Sequence, residues 1–424
     1  MSGAKIFRAA GIAALYLVLA PLTLADPVTK DVKDRVLEGI NKIISGRAYV
    51  PGIDFSKWPT MLAAQKEDID KAQTDEDFQS AVNKALSGFG LTHISLQTPN
   101  QSKSRLAGES VGLGVNIHVQ EDHSGILIWR VVPKSAADEA KLQPGDLITE
   151  ADGKPVEKPS ELAGKEGQAV TLTVKNPEGK VRTVKVVRRK FSNIRHEALE
   201  WLSKDTALLH IYTFDLSYDP DRVETLMKEA AKAKNLVVDL RDNGGGVVMN
   251  VQHFLGLVLP KDTPIGTFIT KRLVERYVTE QKGNPDDLKG IAAWSDSKLR
   301  ATPNDMDVYK GHIVVLVNAW TGSGAEIAAA ALRDTLGTPV VGTKSAGAVL
   351  VALMSPPIEG YTLLYPITDY VTTKGLRLEG NGVEPDVMAM DPKIPLPGTP
   401  DDVVDKAVAV LAHPEIAKKS GANN

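Results

Sequence analysis

The segment Val314-Val315-Leu316-Val317-Asn318-Ala319-Trp320-Thr321-Gly322-Ser323-Gly324-Ala325-Glu326-Ile327-Ala328 constrains this chain more than any other. A β-branched apolar run stops at a Gly-flanked serine, and an Ala-rich helix begins at once. Such a strand-to-helix turn lifts the Ser323 hydroxyl into the open. It also aims the free N–H groups of the helix start at whatever binds there. Acyl transfer needs both an exposed nucleophile and donors for a developing oxyanion. The same residues also form the pattern of a capping box, Ser323-Gly-Ala-Glu326, in which the serine only serves the helix it opens. The segment alone does not separate the two readings.

At 424 residues the chain exceeds one ordinary core, and two or three domains are expected. A net charge of −3, becoming −5 without the first 25 residues (Lys5, Arg8 and no acid), argues against nucleic acid or an anionic membrane as partner. Zero cysteines exclude a disulfide framework, a thiol nucleophile and thiolate zinc sites. Lys5 and Arg8 precede the apolar run Ala9 to Ala20, and Pro21-Leu22-Thr23-Leu24-Ala25 leads into Asp26. Residues 1–25 therefore read as a secretory signal cleaved after Ala25, with a periplasmic or secreted product and no membrane span after cleavage.

Residues 26–105 read as helical: Thr74-Asp75-Glu76-Asp77 opens a helix whose Phe78, Val82 and Leu86 share one face, and Gly88-Phe89-Gly90 ends it just before Leu91-Thr92-His93-Ile94-Ser95. Between 106 and 191 the period changes to two, with Val111, Leu113, Val115, Ile117 and Val119 alternating. Lys134 to Ala140 is a short helix, Pro144-Gly145-Asp146 a turn, and Asp152-Gly153 a hairpin signal. Residues 192–398 alternate strands and helices, with Leu236-Val237-Val238-Asp239-Leu240 feeding Arg241-Asp242-Asn243-Gly244-Gly245-Gly246, and end β-rich. A helix and tail close the chain over 399–424. The expected class is α/β and multidomain.

The 106–191 block resembles a PDZ domain of the kind found in bacterial proteases. Gly112-Leu113-Gly114-Val115 matches the carboxylate-binding loop and Pro144-Gly145-Asp146 the family turn. The resemblance implies a β-sandwich-like domain in which a peptide adds as a strand while loop amides hold its terminal carboxylate. The order PDZ, Asp-Leu-Arg-x-Asn-x-Gly-Gly, then a Gly-flanked Ser with Glu three later, resembles the carboxyl-terminal processing peptidases, in one clan with the tricorn core and interphotoreceptor retinoid-binding proteins. It covers nearly all of the chain after residue 25 and implies a serine-peptidase core. Ser323 falls on the nucleophile, Gly245 on the oxyanion-hole glycine, and Gly324 on the residue that completes the hole.

One position departs from the pattern. Processing peptidases use a Ser–Lys dyad, and counting from Ser323 puts Ala348 where the lysine belongs and Ala352 where its helper glutamine belongs. The tricorn branch instead uses a histidine after the N-terminal helical region, oriented by a glutamate before a Gly-Val-x-Pro-Asp motif. This chain has Thr92-His93-Ile94-Ser95 at the first place and Glu379-Gly380-Asn381-Gly382-Val383-Glu384-Pro385-Asp386 at the second. An imidazole titrates near neutrality, and a carboxylate fixes its tautomer. The implied centre is Ser323, His93 and Glu379.

Each residue has a plainer reading: His93 as structural, Glu379 as a turn carboxylate, Lys344 as a solvated turn lysine, His210 as a satisfied core residue, and Asp334 as half of an ion pair. Gly244-Gly245-Gly246 lacks the Gly-Lys-Ser/Thr ending of a phosphate loop, and the histidines lack metal-ligand spacing. The resulting expectation is an exported serine endopeptidase with no cofactor or metal, acting on unfolded polypeptides or exposed polypeptide C-termini that its PDZ domain recruits. The alternative is an inactive pseudo-protease serving as a PDZ scaffold. An adaptor protein and a homo-oligomer stay open as partners.

Overall fold

The computed structural model describes residues 28–420 apart from 304. The expected signal, 1–25, lies outside the described residues. Helices Lys30–Gly46, Trp58–Ala63, Lys66–Lys71 and Asp75–Leu86 form the N-terminal region, around a core that includes Val36, Ile40, Ile44, Trp58, Phe78, Val82 and Leu86. The last of these opens where expected, and Thr74 and Asp77 cap it reciprocally. The region is not purely helical. Strand Ser95–Gln97 leaves it to pair antiparallel with Thr362–Val371, nearly the whole chain away. A further helix, Pro99–Ala107, ends two residues beyond the expected boundary.

The PDZ block is a sheet in the order Val115–Val119, Ile126–Val131, Leu147–Ala151, Ala169–Lys175, Val181–Val187. It encloses Ile126, Ile128, Ile148, Val170, Leu172 and Val174. A separate two-stranded ribbon, Glu109–Gly112 with Arg189–Ser192, closes it where the chain enters and leaves. Asp152 and Gly153, at φ 51° and 75°, make the expected tight hairpin.

The third unit is built on a six-stranded sheet ordered Ala198–Ser203, Thr206–His210, Asn235–Asp239, His312–Val317, Val340–Gly342, Val387–Met388. All its pairs are parallel except the first. The central strands are buried along nearly their whole length, which is why they read as unbroken apolar runs. Helix Gly324–Leu336 is buried on every side from Gly324 to Leu332, and its alanines let neighbours approach closely. The β-rich tail joins a second sheet, where Thr362–Val371 pairs with Ser95–Gln97, Pro264–Thr270 and Val351–Met354. The closing helix runs Asp402–Ala412, capped by Asp401. Among the described residues no helix is long and apolar enough to cross a membrane.

Candidate active site

Ser323 sits between strand His312–Val317 and helix Gly324–Leu336 with φ 51° and ψ −119°. A non-glycine residue in that region is strained, and neighbouring bonds hold it there. Its N–H donates to the Ala348 carbonyl at 2.9 Å and to Glu326 Oε2 at 3.0 Å. The hydroxyl makes no cap bond to the helix. The Glu326 carboxylate supplies the glutamate half of the capping box by accepting from the Ser323 N–H.

Glu326 does more than cap. Fully buried, it also accepts from Ser345 Oγ at 2.5 Å, Gly347 N–H at 2.8 Å and Ala348 N–H at 2.9 Å. Burial pushes its carboxyl above the ordinary value, opposed by these donors. The serine turn and the 345–348 segment are thus pinned to one carboxylate.

The glycine loop lies hard against the turn. Arg241, in contact with Asp239, Asp391 and Asp401 at 2.8–3.0 Å, anchors its start, and the two charges shift each other strongly, Asp239 downward and Arg241 upward despite burial. Gly322 N–H donates to the Asn243 carbonyl at 2.9 Å. A Cβ on Gly245 (φ 88°) would lie 2.5 Å from Gly324 N and 2.7 Å from Ser323 Cβ, so only glycine fits. The expected oxyanion donor at Gly245 is corrected here: its N–H donates to Asn243 Oδ1 at 2.9 Å. The N–H groups of Gly246 and Gly324 have no acceptor among the described residues. Asn two residues before Gly is the pattern of an Asx turn, and that signal was present in the sequence.

His93 is half-buried, and burial lowers its pKa below the ordinary imidazole value. Its Nδ1 is 2.8 Å from Thr92 Oγ1. Thr92 Oγ1 in turn lies 3.0 Å from both Glu379 oxygens, and Thr92 N–H donates to Glu379 Oε1 at 3.2 Å. Glu379, also buried, accepts from Val349 N–H at 2.8 Å. The direct Glu379–His93 contact expected from the sequence is not formed: the link runs through the Thr92 hydroxyl. Since a carboxylate only accepts, Thr92 O–H donates to Glu379 and its oxygen accepts from His93 Nδ1–H. This leaves the Nε2 lone pair free. Ser323 and His93 share no hydrogen bond. They are joined through the backbone, Ser323 to Ala348, then Val349 to Glu379, then Thr92.

Lys344 is half-exposed and pairs with Glu384 at 2.5 Å, as a turn lysine. Asp334 faces Lys374 and accepts from Thr373 Oγ1 at 3.2 Å. His210 ends its strand partly exposed, with Nδ1 3.3 Å from Asp239, rather than sitting in the core. Among the described residues no cluster of three or more His, Asp or Glu is arranged to hold a metal.

In the PDZ loop, Gly114 has φ 81°, and a Cβ there would lie 2.1 Å from Ser135 Cβ. Leu113 is buried, and the N–H groups of Leu113 and Gly114 have no acceptor among the described residues. Strand Val115–Val119, which follows, has one edge of its sheet unpaired. Gly112 to Val115 therefore combine free amides with an open strand edge, which is what adding a peptide strand requires.

A mixed α/β core with a strained serine at a helix start, a glycine loop against it and a PDZ domain ahead is the arrangement expected of PDZ-bearing serine peptidases. Residues 205–389 match the model of Peptidase family S41 and residues 103–175 that of the PDZ domain. The stretch that carries Ser323 is thus similar to Peptidase family S41. A CtpA-like serine protease of Staphylococcus haemolyticus is 28% identical over 330 residues, 74% of this chain and 60% of the relative. The chain thus spans less than two thirds of that relative's length. An S41 protease structure from Bacteroides fragilis superposes with a TM-score of 0.58 at 15% identity, covering 83% of this chain and 97% of the other. The tricorn protease gives 0.52 at 14%, covering 91% of this chain and 37% of the other. At these identities the two structures show a shared fold.

Proposed function

We propose that the chain is an exported serine endopeptidase with a Ser–His centre, cleaving unfolded or C-terminally exposed polypeptides that its PDZ domain recruits. The series Glu379, Thr92, His93, linked through Val349 and Ala348 to a strained serine, supports this reading. Ser323 Oγ attacks the scissile carbonyl and forms a C–O bond while its proton passes to His93 Nε2. The Gly246 and Gly324 N–H groups receive the oxyanion. Collapse breaks the C–N bond as His93 returns the proton to the leaving amine, and water repeats the sequence on the acyl-enzyme. Thr92 and Glu379 keep the Nδ1–H tautomer and stabilise the imidazolium. Lys344, already paired on the surface, takes no part.

A scaffold without turnover is the second reading, favoured by the missing Ser323–His93 hydrogen bond. Catalytic hydrogen bonds are commonly long before substrate arrives, so this observation alone does not exclude catalysis. Cleavage of an unfolded model protein separates the two. Ser323→Ala and His93→Ala should abolish it and Lys344→Ala should not; no cleavage by the unaltered chain from neutral to alkaline pH would select the scaffold. Export is tested by sequencing the N-terminus of the secreted protein, which should begin at Asp26.

A further inference from the structure

The PDZ domain meets the peptidase core both through its connecting segments and through a hairpin tip. At the connecting segments Arg105 pairs with Asp215 at 3.1 Å, and the Arg195 Cζ lies 3.6 Å above the centre of the Tyr212 ring. The hairpin joins strands Val115–Val119 and Ile126–Val131, and at its tip Glu121 pairs with Lys393 of the core at 3.0 Å. Both of these side chains are well exposed, so the pair adds little stability. It does mark where the end of the PDZ edge strand touches the core.

That contact lies on the path of a peptide bound to the edge. A terminal carboxylate held by the Gly112–Val115 loop sits at the start of strand Val115–Val119, so a chain added to that strand runs antiparallel to it. Its upstream residues therefore leave the domain at Val119, beside Glu121 and Lys393. From Lys393 the core chain leads back through Asp391 to Met390 and Met388. These methionines are 67% and 60% exposed, whereas Val387 and Ala389, which alternate with them, are buried. The two side chains thus share one outward face of the segment. The same segment is bonded to the turn that carries Ser323. Asp391 Oδ2 accepts from Asn318 Nδ2 at 2.8 Å, and Asn318 Oδ1 accepts from the Trp320 N–H at 3.0 Å. Trp320, in the serine turn itself, is 76% exposed.

We propose that Met388 and Met390 form a docking track for apolar side chains of a polypeptide whose C-terminus the PDZ domain holds, on its way to Ser323. The proposal rests on the recruitment reading above and adds to it a feature of the substrate: an apolar stretch set back from the C-terminus. Methionine side chains are flexible and polarisable, and surfaces built from them accept many apolar partners, which suits an unfolded chain. The way from Val115 to Glu121, then from Lys393 to Met390, is about ten extended residues at ~3.3 Å each. The apolar stretch is therefore placed about ten residues upstream of the C-terminus.

The test uses the full chain carrying Ser323→Ala and fluorescently labelled Gly/Ser peptides that share one apolar C-terminal tripeptide. A Leu-Leu pair is placed about ten residues upstream, directly before the tripeptide, or nowhere. The distant pair should tighten binding about tenfold over the leucine-free peptide. Adding Met388→Ser with Met390→Ser, both on exposed side chains, should erase that gain. The same double variant should keep any gain from the adjacent pair and bind the leucine-free peptide as before. No gain from the distant pair, a gain that survives in the double variant, or an equal loss for every peptide overturns the proposal. An altered oligomeric state of the double variant with the leucine gain intact would assign the methionines to a second copy and overturn it too. An amidated leucine-free peptide separates the two readings. If it binds as well as the free acid, recruitment fails and the track with it; failure of the track alone leaves the preference for the free acid intact.

Discussion

The N–H of Ser323 donates to the carbonyl of Ala348 at 2.9 Å, so the residue standing where the family resemblance puts a lysine holds the nucleophile through its backbone. The Ala348 N–H is likewise taken, by Glu326 at 2.9 Å. Its segment forms a wall of the serine turn, and in the proposed centre the base comes from the other side of Glu379.

Removing the Thr92 hydroxyl should break the series at its middle. Thr92→Val should lower kcat roughly 100-fold with little change in KM, within the range for a mis-oriented base. Thr92→Ser should stay within a few fold. Steady-state kinetics on a fluorogenic peptide would check this; equal activity of the Val variant would remove Thr92 from the mechanism.

Because burial lowers the His93 pKa, the acid limb of kcat/KM for the proposed Ser–His centre should fall below pH ~6.5, the free imidazole value. Glu379→Gln removes the charge that favours the imidazolium, so the limb should move lower still while the plateau drops. The same shift makes the unfolded chain bind more protons between the folded and unfolded pKa values. His93 thus favours folding fully above about 6.5 and less as pH falls through that window. Relative to His93→Ala, the parent should lose melting temperature there on acidification.

Glu326→Gln leaves an amide facing several N–H donors in a buried site. It should destabilise the fold by about 3 kcal/mol, the order seen when one side of a buried charged network is removed. Denaturant unfolding would measure this. A cost under about 1 kcal/mol, that of an ordinary exposed hydrogen bond, would mean that the four donors do not act as one network.

Gly245→Ala should abolish cleavage because its Cβ would overlap Gly324 N and Ser323 Cβ. Peptide binding by the PDZ domain should be retained, since its loop lies in a separate core. Paired cleavage and binding assays on one preparation decide it.

What was legible in the sequence was local. The strand–Ser323–helix turn is contiguous, and the PDZ strands announce themselves by alternation and by Pro144-Gly145-Asp146. Thr92 was passed over because its partner, Glu379, is 287 residues away and nothing about a threonine beside a histidine marks a relay. Glu326 read as a cap because its other donors lie on a loop 19 to 22 residues on. Ser95–Gln97 was missed because three residues carry no periodicity, and its register is set by Thr362–Val371.

Both connections to the PDZ domain land on one short stretch of the core. Arg105, from the entering chain, pairs with Asp215, and Arg195, from the leaving chain, covers Tyr212. Between them Phe214 is bonded to the glycine loop. The domain is therefore not a module that ends at its own strands. Transplanting it into a relative, or deleting it, would cut a shared joint unless residues 212–215 were exchanged with it.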